Sequence, residues 1–292
     1  MIQLSGLSFQ QGGEWPVDSI ERIIIQKMRE APVVYSYDTI EELTFELKYR
    51  KNIIESARAM NQGHSRFVIF AYSRCNPKYW NRSNAGGFQL RGDVTPSAAI
   101  LDIFRNSSLY AFECATAMMI IYYHGLLHSI DERLFNQLFQ NIYLYGWHFD
   151  PDLGIQTVHS EQFLPGDIVY FKNPDVDPET PWWRGENAVV LGDGTFFGHG
   201  VGIMNAEQMI RILNKKRKPE SLQSAYLKNS VTRPSFKHLA KLSMGQRNFS
   251  AHKIQHIIIH HNKNSISFER YLYYLNKVYS QMNYLKPFPK KG

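Results

Sequence analysis

Residues 109–127 read LYAFECATAMMIIYYHGLL, and the fold turns on how this stretch is taken. It is the most apolar segment of the chain. Its length argues for a helix, because a buried strand seldom runs beyond about eight residues. A helix that is apolar nearly all round must be covered on every side, so this one belongs at the centre. Its apolar run, Ala115 to Tyr123, falls far short of the about 20 residues that a membrane span requires.

The segments before it read as helices. Asp18 opens a stretch with Ile20, Ile23, Ile24 and Met28 at helical spacing. Thr39 with Glu42 has the pattern of a capping box ahead of Leu43, Phe45 and Leu47. Then the period changes: residues 66–73 are rich in β-formers, and a second strand fits residues 87–92. Thr95-Pro96 starts a short helix that runs to Phe104, and another helix is expected from Asp131 to Tyr143. From Gln156 onward the pattern is strands. One spans residues 167–173. Two more, 186–192 and 195–200, flank Asp193-Gly194, a signal for a two-residue hairpin turn. Asn205 caps a last helix, AEQMIRILNKK. Helices, then a long apolar helix carrying a cysteine, then an antiparallel sheet make an α+β fold.

The 292 residues are 43% hydrophobic and 14% aromatic, enough for a sizeable core. The formal charge of +7 is concentrated in Lys215-Lys216-Arg217-Lys218 and in the segment after Lys237. No zinc spacing, aromatic ribonucleoprotein strand or basic recognition helix accompanies it, so no nucleic-acid partner is expected. Two cysteines, Cys75 and Cys114, are too few for a secreted disulfide scaffold. The N-terminus lacks the charged and apolar segments of a signal peptide, which points to synthesis in the cytoplasm. Residues 1–241 read as one domain. Residues 242–292, rich in Ser, Asn, His and Lys, read as a basic extension, either a small appendage or a partly ordered tail, with an apolar cluster at Ile254 to Ile259 and an amphipathic stretch at Phe268 to Tyr279.

Chemistry concentrates at two places. Cys114 on an apolar helix is either a small buried hydrophobe or a nucleophile. Glu113 beside it either serves the helix N-terminus or is a buried carboxylate with a purpose. With a two-residue turn at Asp193-Gly194, Ala188 pairs with His199 and Glu186 with Val201. Glu186 and His199 then become diagonal neighbours on one face, about 7–8 Å apart at the backbone. The alternative is an exposed salt bridge on an edge hairpin. A thiol at a helix end facing a carboxylate and an imidazole has the parts of a papain-like hydrolase or transferase. Aromatic residues collect where a substrate groove is expected: Trp147, Trp183 and Phe67. They are either groove walls that exclude water from a thioester or ordinary core.

Several stretches closely resemble the small bacterial transglutaminases of spore-forming bacilli: Tyr110–Ala117, Phe171–Pro178, Trp183–Asn187, Phe197–Ile203 and Leu222–Leu227. The resemblance runs from Met1 to about residue 241. It implies an NlpC-type, papain-like core and an enzyme that joins glutamine to lysine side chains of spore-coat proteins, with no cofactor, metal or calcium. It makes Cys114 the nucleophile, Glu186 the principal base, Glu113 a second base and His199 a supporting residue. Trp147, Trp183 and Phe67 become walls of a substrate tunnel. It further implies a monomer made in the mother cell that ends on the spore surface, with no membrane or nucleic-acid partner. Peptidases of the NlpC type carry a histidine where this chain has Glu186. Two other functions use the same parts: a cell-wall amidase or endopeptidase, and a structural coat protein with a vestigial site. The segment from about Gly245 has no counterpart in the resemblance.

Overall fold

The computed structural model describes residues 1–9, 15–16, 19–245, 257–261 and 265–284. At its centre is α4 (Cys114–Leu127), in which every residue is buried. Around it lie α1 (Ile20–Glu30), α2 (Ile40–Gln62), α3 (Pro96–Arg105), α5 (Glu132–Leu138), α6 (Ala206–Asn214), α7 (Phe236–Ser243) and α8 (Phe268–Tyr284). Three small sheets line the helical side. They are β1 (Ile2–Leu4), β2 (Leu7–Ser8) and β3 (Tyr35–Tyr37); β4 (Arg66–Phe67) with β7 (Ala111–Phe112); and β5 (Trp80–Arg82), β6 (Phe88–Leu90) and β8 (Tyr143–Leu144). The main sheet holds β9 (Gln156–His159), β10 (Ile168–Lys172), β11 (Gly185–Val190), β12 (Thr195–Gly198), β13 (Gly202–Asn205) and β14 (Tyr226–Arg233), in the order β13-β12-β11-β10-β14-β9, all antiparallel. The α+β class expected from the sequence is the class observed.

The central helix begins later than its apolar pattern suggests. Residues 107–109 form a 3-10 turn and Ala111–Phe112 a strand parallel to β4. The cause is Glu113, whose Oε2 accepts hydrogen bonds from the Ala115 N–H at 2.8 Å and the Thr116 N–H at 3.4 Å. A carboxylate satisfying two first-turn amides is an N-cap, so the helix starts at Cys114. Elsewhere the expected strand over 66–73 is only β4, followed by a 3-10 turn at Phe70–Tyr72. Arg82 donates to the carbonyls of Phe70, Ala71 and Ser73, which satisfies that turn outside any sheet.

The hairpin register also differs from the expected one. Ala188 pairs with Gly198, Val189 with Phe197 and Val190 with Phe196. The loop is Gly192-Asp193-Gly194, with both glycines at positive φ, and the Leu191 N–H closes it on the Thr195 carbonyl. A three-residue loop replaces the two-residue turn, and a shift of one residue exchanges the faces of one strand relative to the other. The pairing ends at Ala188–Gly198; His199 and Gly200 lie in the turn to β13, where their backbone N–H groups reach the Glu186 carboxylate. The diagonal Glu186–His199 pairing does not occur.

A buried ion network ties the helices to the sheet. Arg50 of α2, fully buried, pairs with Glu46 at 2.7 Å and with Asp167 at 2.9 Å; Arg233 of β14 reaches the other Asp167 oxygen at 2.9 Å. Asp167 precedes β10, so this cluster fixes the start of an interior strand of the sheet against the helix that packs along α4.

Candidate active site

The cap that starts α4 also places the thiol. Cys114 is the first helical residue, where the orphan amides and helix dipole favour negative charge. Its thiol donates to Glu113 Oε1 at 3.1 Å, and the Asn187 side-chain amide donates to Sγ at 3.4 Å. Asn187 lies on β11 beside Glu186, on the opposite face of the strand. Glu186 is held by the Gly200 N–H, which donates to Oε1 at 3.2 Å. A Cβ at Gly198 would come within 2.9 Å of Glu186 Oε1, so only glycine leaves the carboxylate its place there.

Three buried titratable groups act on one another electrostatically at the start of α4 and β11. Burial pushes Glu186 up to about 8, and the nearby Glu113 carboxylate adds to the rise against the pull of backbone N–H groups. Burial likewise raises Glu113 to about 7, against the hydrogen bonds from Cys114, Ala115 and Thr116. Cys114 is pushed well above the ordinary thiol range, first by burial and then by the charges of Glu113 and Glu186. Two carboxyls poised near neutrality beside one thiol can take and return a proton, which is the requirement for general acid–base assistance.

His199 is placed differently from both carboxylates. Its ring stacks on Phe112 at 4.6 Å, meets Phe67 edge-on at 6.4 Å, and leaves Nε2 buried without a partner. Burial pushes it down to about 4, so the ring is neutral at physiological pH. Phe67 and Trp183 lie 6.0 Å apart, and the Phe67 ring would be 3.5 Å from a Cβ at Gly200, beside Glu186. Trp147 is fully buried on the far chain segment between β8 and β9, and its indole N–H donates to the Ile266 carbonyl at 2.8 Å. The expected residues therefore fall into a thiol–dicarboxylate centre with aromatic neighbours.

Three participants were missed in the sequence. Asn187 sits inside a buried apolar strand, a signal that an unexplained polar residue there needs a partner. Tyr170 on β10 donates its hydroxyl to the Ser265 carbonyl at 3.1 Å, and Ser265 Oγ lies 2.7 Å from Cys114 Sγ. Nothing local in the sequence links residue 265 to residue 114.

The protein-glutamine gamma-glutamyltransferase family model matches residues 1–243. A protein of that name from Halalkalibacterium halodurans is 51% identical over 275 residues, covering 94% of this chain and 97% of its own length. One from Bacillus mycoides is 50% identical over 200 residues, 68% of this chain and 72% of its own. A solved transglutaminase from Geobacillus stearothermophilus, described as without its C-terminal extension, superposes with a TM-score of 0.68 at 50% identity, covering 70% of this chain and 98% of that one. With a family match over most of its length and relatives at half identity on both sides, this chain belongs to the protein-glutamine gamma-glutamyltransferase family.

Proposed function

We propose that the chain cross-links proteins by joining glutamine to lysine side chains through a thioester on Cys114. The observation that carries this reading is the thiol at the first position of α4, hydrogen-bonded to one buried carboxyl and within the field of a second. A carboxylate, principally Glu186, takes the thiol proton as Sγ attacks the carbon of the glutamine γ-carboxamide. The C–N bond breaks, the carboxyl returns the proton to nitrogen, and ammonia leaves. A lysine ε-ammonium then gives one proton to the same carboxylate and attacks the thioester as the free amine; the C–S bond breaks as an isopeptide forms, and the second proton lost by nitrogen goes to the departing sulfur, restoring the thiol. Glu113 is the second, partly redundant base. His199, neutral and stacked on Phe112, supports the wall of the site rather than transferring the proton. Phe67, Trp183 and Trp147 exclude water, which favours an amine over hydrolysis.

Residues 1–241 form the catalytic domain in this reading, and residues 242–292 a basic extension. Glu113 accepts from the Ala115 backbone N–H and Glu186 from that of Gly200, so neither carboxylate needs a cation to hold its place, which supports a reading without calcium. The resemblance to enzymes of spore-forming bacilli points to spore-coat proteins as substrates, to the spore surface as the place of action and to a monomer as the working form. Among the described residues no helix is long and apolar enough to cross a membrane.

Incorporation of a fluorescent primary amine into a glutamine-bearing protein, with chelator present, tests the reading. Cys114→Ala abolishes labelling. Glu186→Ala lowers it by about 100-fold or more, the usual contribution of a positioned base, whereas His199→Ala costs far less. Equal losses for Glu186 and His199 would undo the base assignment, and labelling that survives Cys114→Ala would undo the whole reading.

A further inference from the structure

Nothing from solvent can reach the thiol in this chain. Cys114 is 0% exposed, and what covers it is the chain's own C-terminal extension. Residues 265–267 run extended across the site, and α8 follows directly. Ser265 Oγ sits 2.7 Å from Sγ, and the Ser265 carbonyl accepts from Tyr170. The Ile266 carbonyl accepts two hydrogen bonds, from Trp147 Nε1 at 2.8 Å and from Asn187 Nδ2 at 3.0 Å. The same Asn187 Nδ2 is within 3.4 Å of Sγ. Phe268 packs edge-on against Trp147 at 5.3 Å and Phe149 at 5.8 Å, and Ile266, Phe268, Tyr271 and Leu275 are all buried. At the rim, Glu269 of α8 pairs with Lys228 of β14. A cleft of about 500 Å³ opens beside the segment, lined by Tyr170, Arg184, Ser267 and Arg270 among others, but it does not extend to the thiol.

A backbone carbonyl held by two convergent donors next to the nucleophile has the chemistry of a bound acyl donor. The substrate's own reacting group is a carboxamide, whose oxygen must gain charge as sulfur attacks, and preorganised N–H donors at that oxygen are what such a step needs. Building on the proposed thiol chemistry, we propose that residues 265–268 are an intramolecular occupant of the acyl-donor site. The Ile266 carbonyl marks where the glutamine γ-carbonyl oxygen binds, Asn187 Nδ2 and Trp147 Nε1 are the donors that hold it, and the chain turns over only when this segment has left. The occupant is not itself a substrate. Ser265 presents a hydroxyl, not a carboxamide, to sulfur, and the Ile266 carbonyl belongs to a backbone peptide held by its flanking residues.

The test uses the full-length chain and two variants remote from the reacting atoms. Phe268→Asp puts a carboxylate into the aromatic seat, and Glu269→Lys sets an ammonium against Lys228 at the surface, where it leaves the core untouched. The readout is alkylation of Cys114 by iodoacetamide, resolved by mass spectrometry from that of Cys75 in the same molecule. We expect Cys114 to react at least about tenfold faster in Phe268→Asp, a change that requires only about 1.4 kcal/mol of lost docking. Glu269→Lys should give a smaller increase in the same direction. Cys75 should keep its wild-type rate in both, and a synthetic peptide of residues 257–284 should slow Cys114 again. Wild-type rates at Cys114 in both variants would overturn the occupant. Faster alkylation with no amine incorporation would leave the occupant standing and sink the transglutaminase reading instead. In the Phe268→Asp background, Asn187→Ala should lower amine incorporation by about 100-fold or more, far more than it slows alkylation of Cys114, whose sulfur also loses that donor. A loss of less than about threefold, against the 100-fold or more expected of a removed oxyanion donor, would remove Asn187 from that role.

Discussion

A single glutamate decides where the central helix begins. Glu113 caps α4, and by doing so sets Cys114 at its first position, where thiol, helix amides and carboxylate converge. The same burial that makes the carboxyls useful makes them sensitive to pH. Glu186 and Glu113, raised to about 8 and about 7, have unfolded values near about 4.3. Between these limits the folded chain holds protons that the unfolded chain has released. Folding stability therefore falls as pH rises through that window, and the loss is complete above the folded values. Thermal melts from about pH 5 to about pH 9 should show a shallower decline for Glu186→Gln than for the wild type. Parallel curves would mean that Glu186 ionises in the folded chain as it does in water. Because the carboxylate form is the base, catalysis should gain over the same pH range in which stability declines.

At the scale of elements, the site is held by the crossing of α2 on α4 and by the network that anchors β10. At the crossing, Gly125 faces the α2 backbone, where an added Cβ would lie 3.0 Å from Ile53 N and 3.2 Å from the Asn52 carbonyl carbon. Backbone cannot yield as a side chain does, so Gly125→Ala should destabilise the fold by about 1–3 kcal/mol in urea denaturation. No measurable loss would show that the helices separate freely. Arg50 presents the opposite case, a charge that must stay. Arg50→Ala leaves buried Glu46 without its cation and Asp167 with Arg233 alone, and should cost about 3–5 kcal/mol, whereas Lys237→Ala, whose nearest partner Asp38 is exposed and whose buried neighbour Glu42 keeps Lys241, should cost less than about 1 kcal/mol. A comparable cost for the two would contradict the burial-based ranking.

Over the whole molecule, the extension is joined to the domain by residues 265–268 and by one face of α8. Tyr271 and Leu275 are buried, while Tyr273 is 63% exposed and Met282 49% exposed. A helix docked on one side opens at lower cost than one buried all round. Hydrogen exchange should therefore be faster by orders of magnitude along α8 than along α4, and attaching a bulky group to Cys114 should speed α8 further while leaving α4 unchanged. Equal protection of the two helices would make the extension part of the global folding unit and would leave no opening step for substrates to use.

Much of this protein is written locally. The Thr39, Thr95 and Asn205 caps, the apolar run of α4 and the strand pattern after Gln156 report their elements because caps and periodicity act over a few residues. Cys114, Glu113 and Glu186 stood out for a related reason, as ionisable groups set in apolar surroundings. Some local signals were misleading: Glu42 reaches back to the Asp38 N–H rather than closing a box on Thr39, and Asp193-Gly194 lies within a three-residue loop, with His199 in the turn after β12 rather than on the hairpin face. The expected cluster at Ile254 to Ile259 falls partly outside the described residues. What only tertiary structure decided is the meeting of Cys114 with Asn187 and with Ser265, 151 residues further along. Such contacts depend on where a three-residue loop sets the register and where a distant helix finds its aromatic seat, and no short-range pattern carries that information.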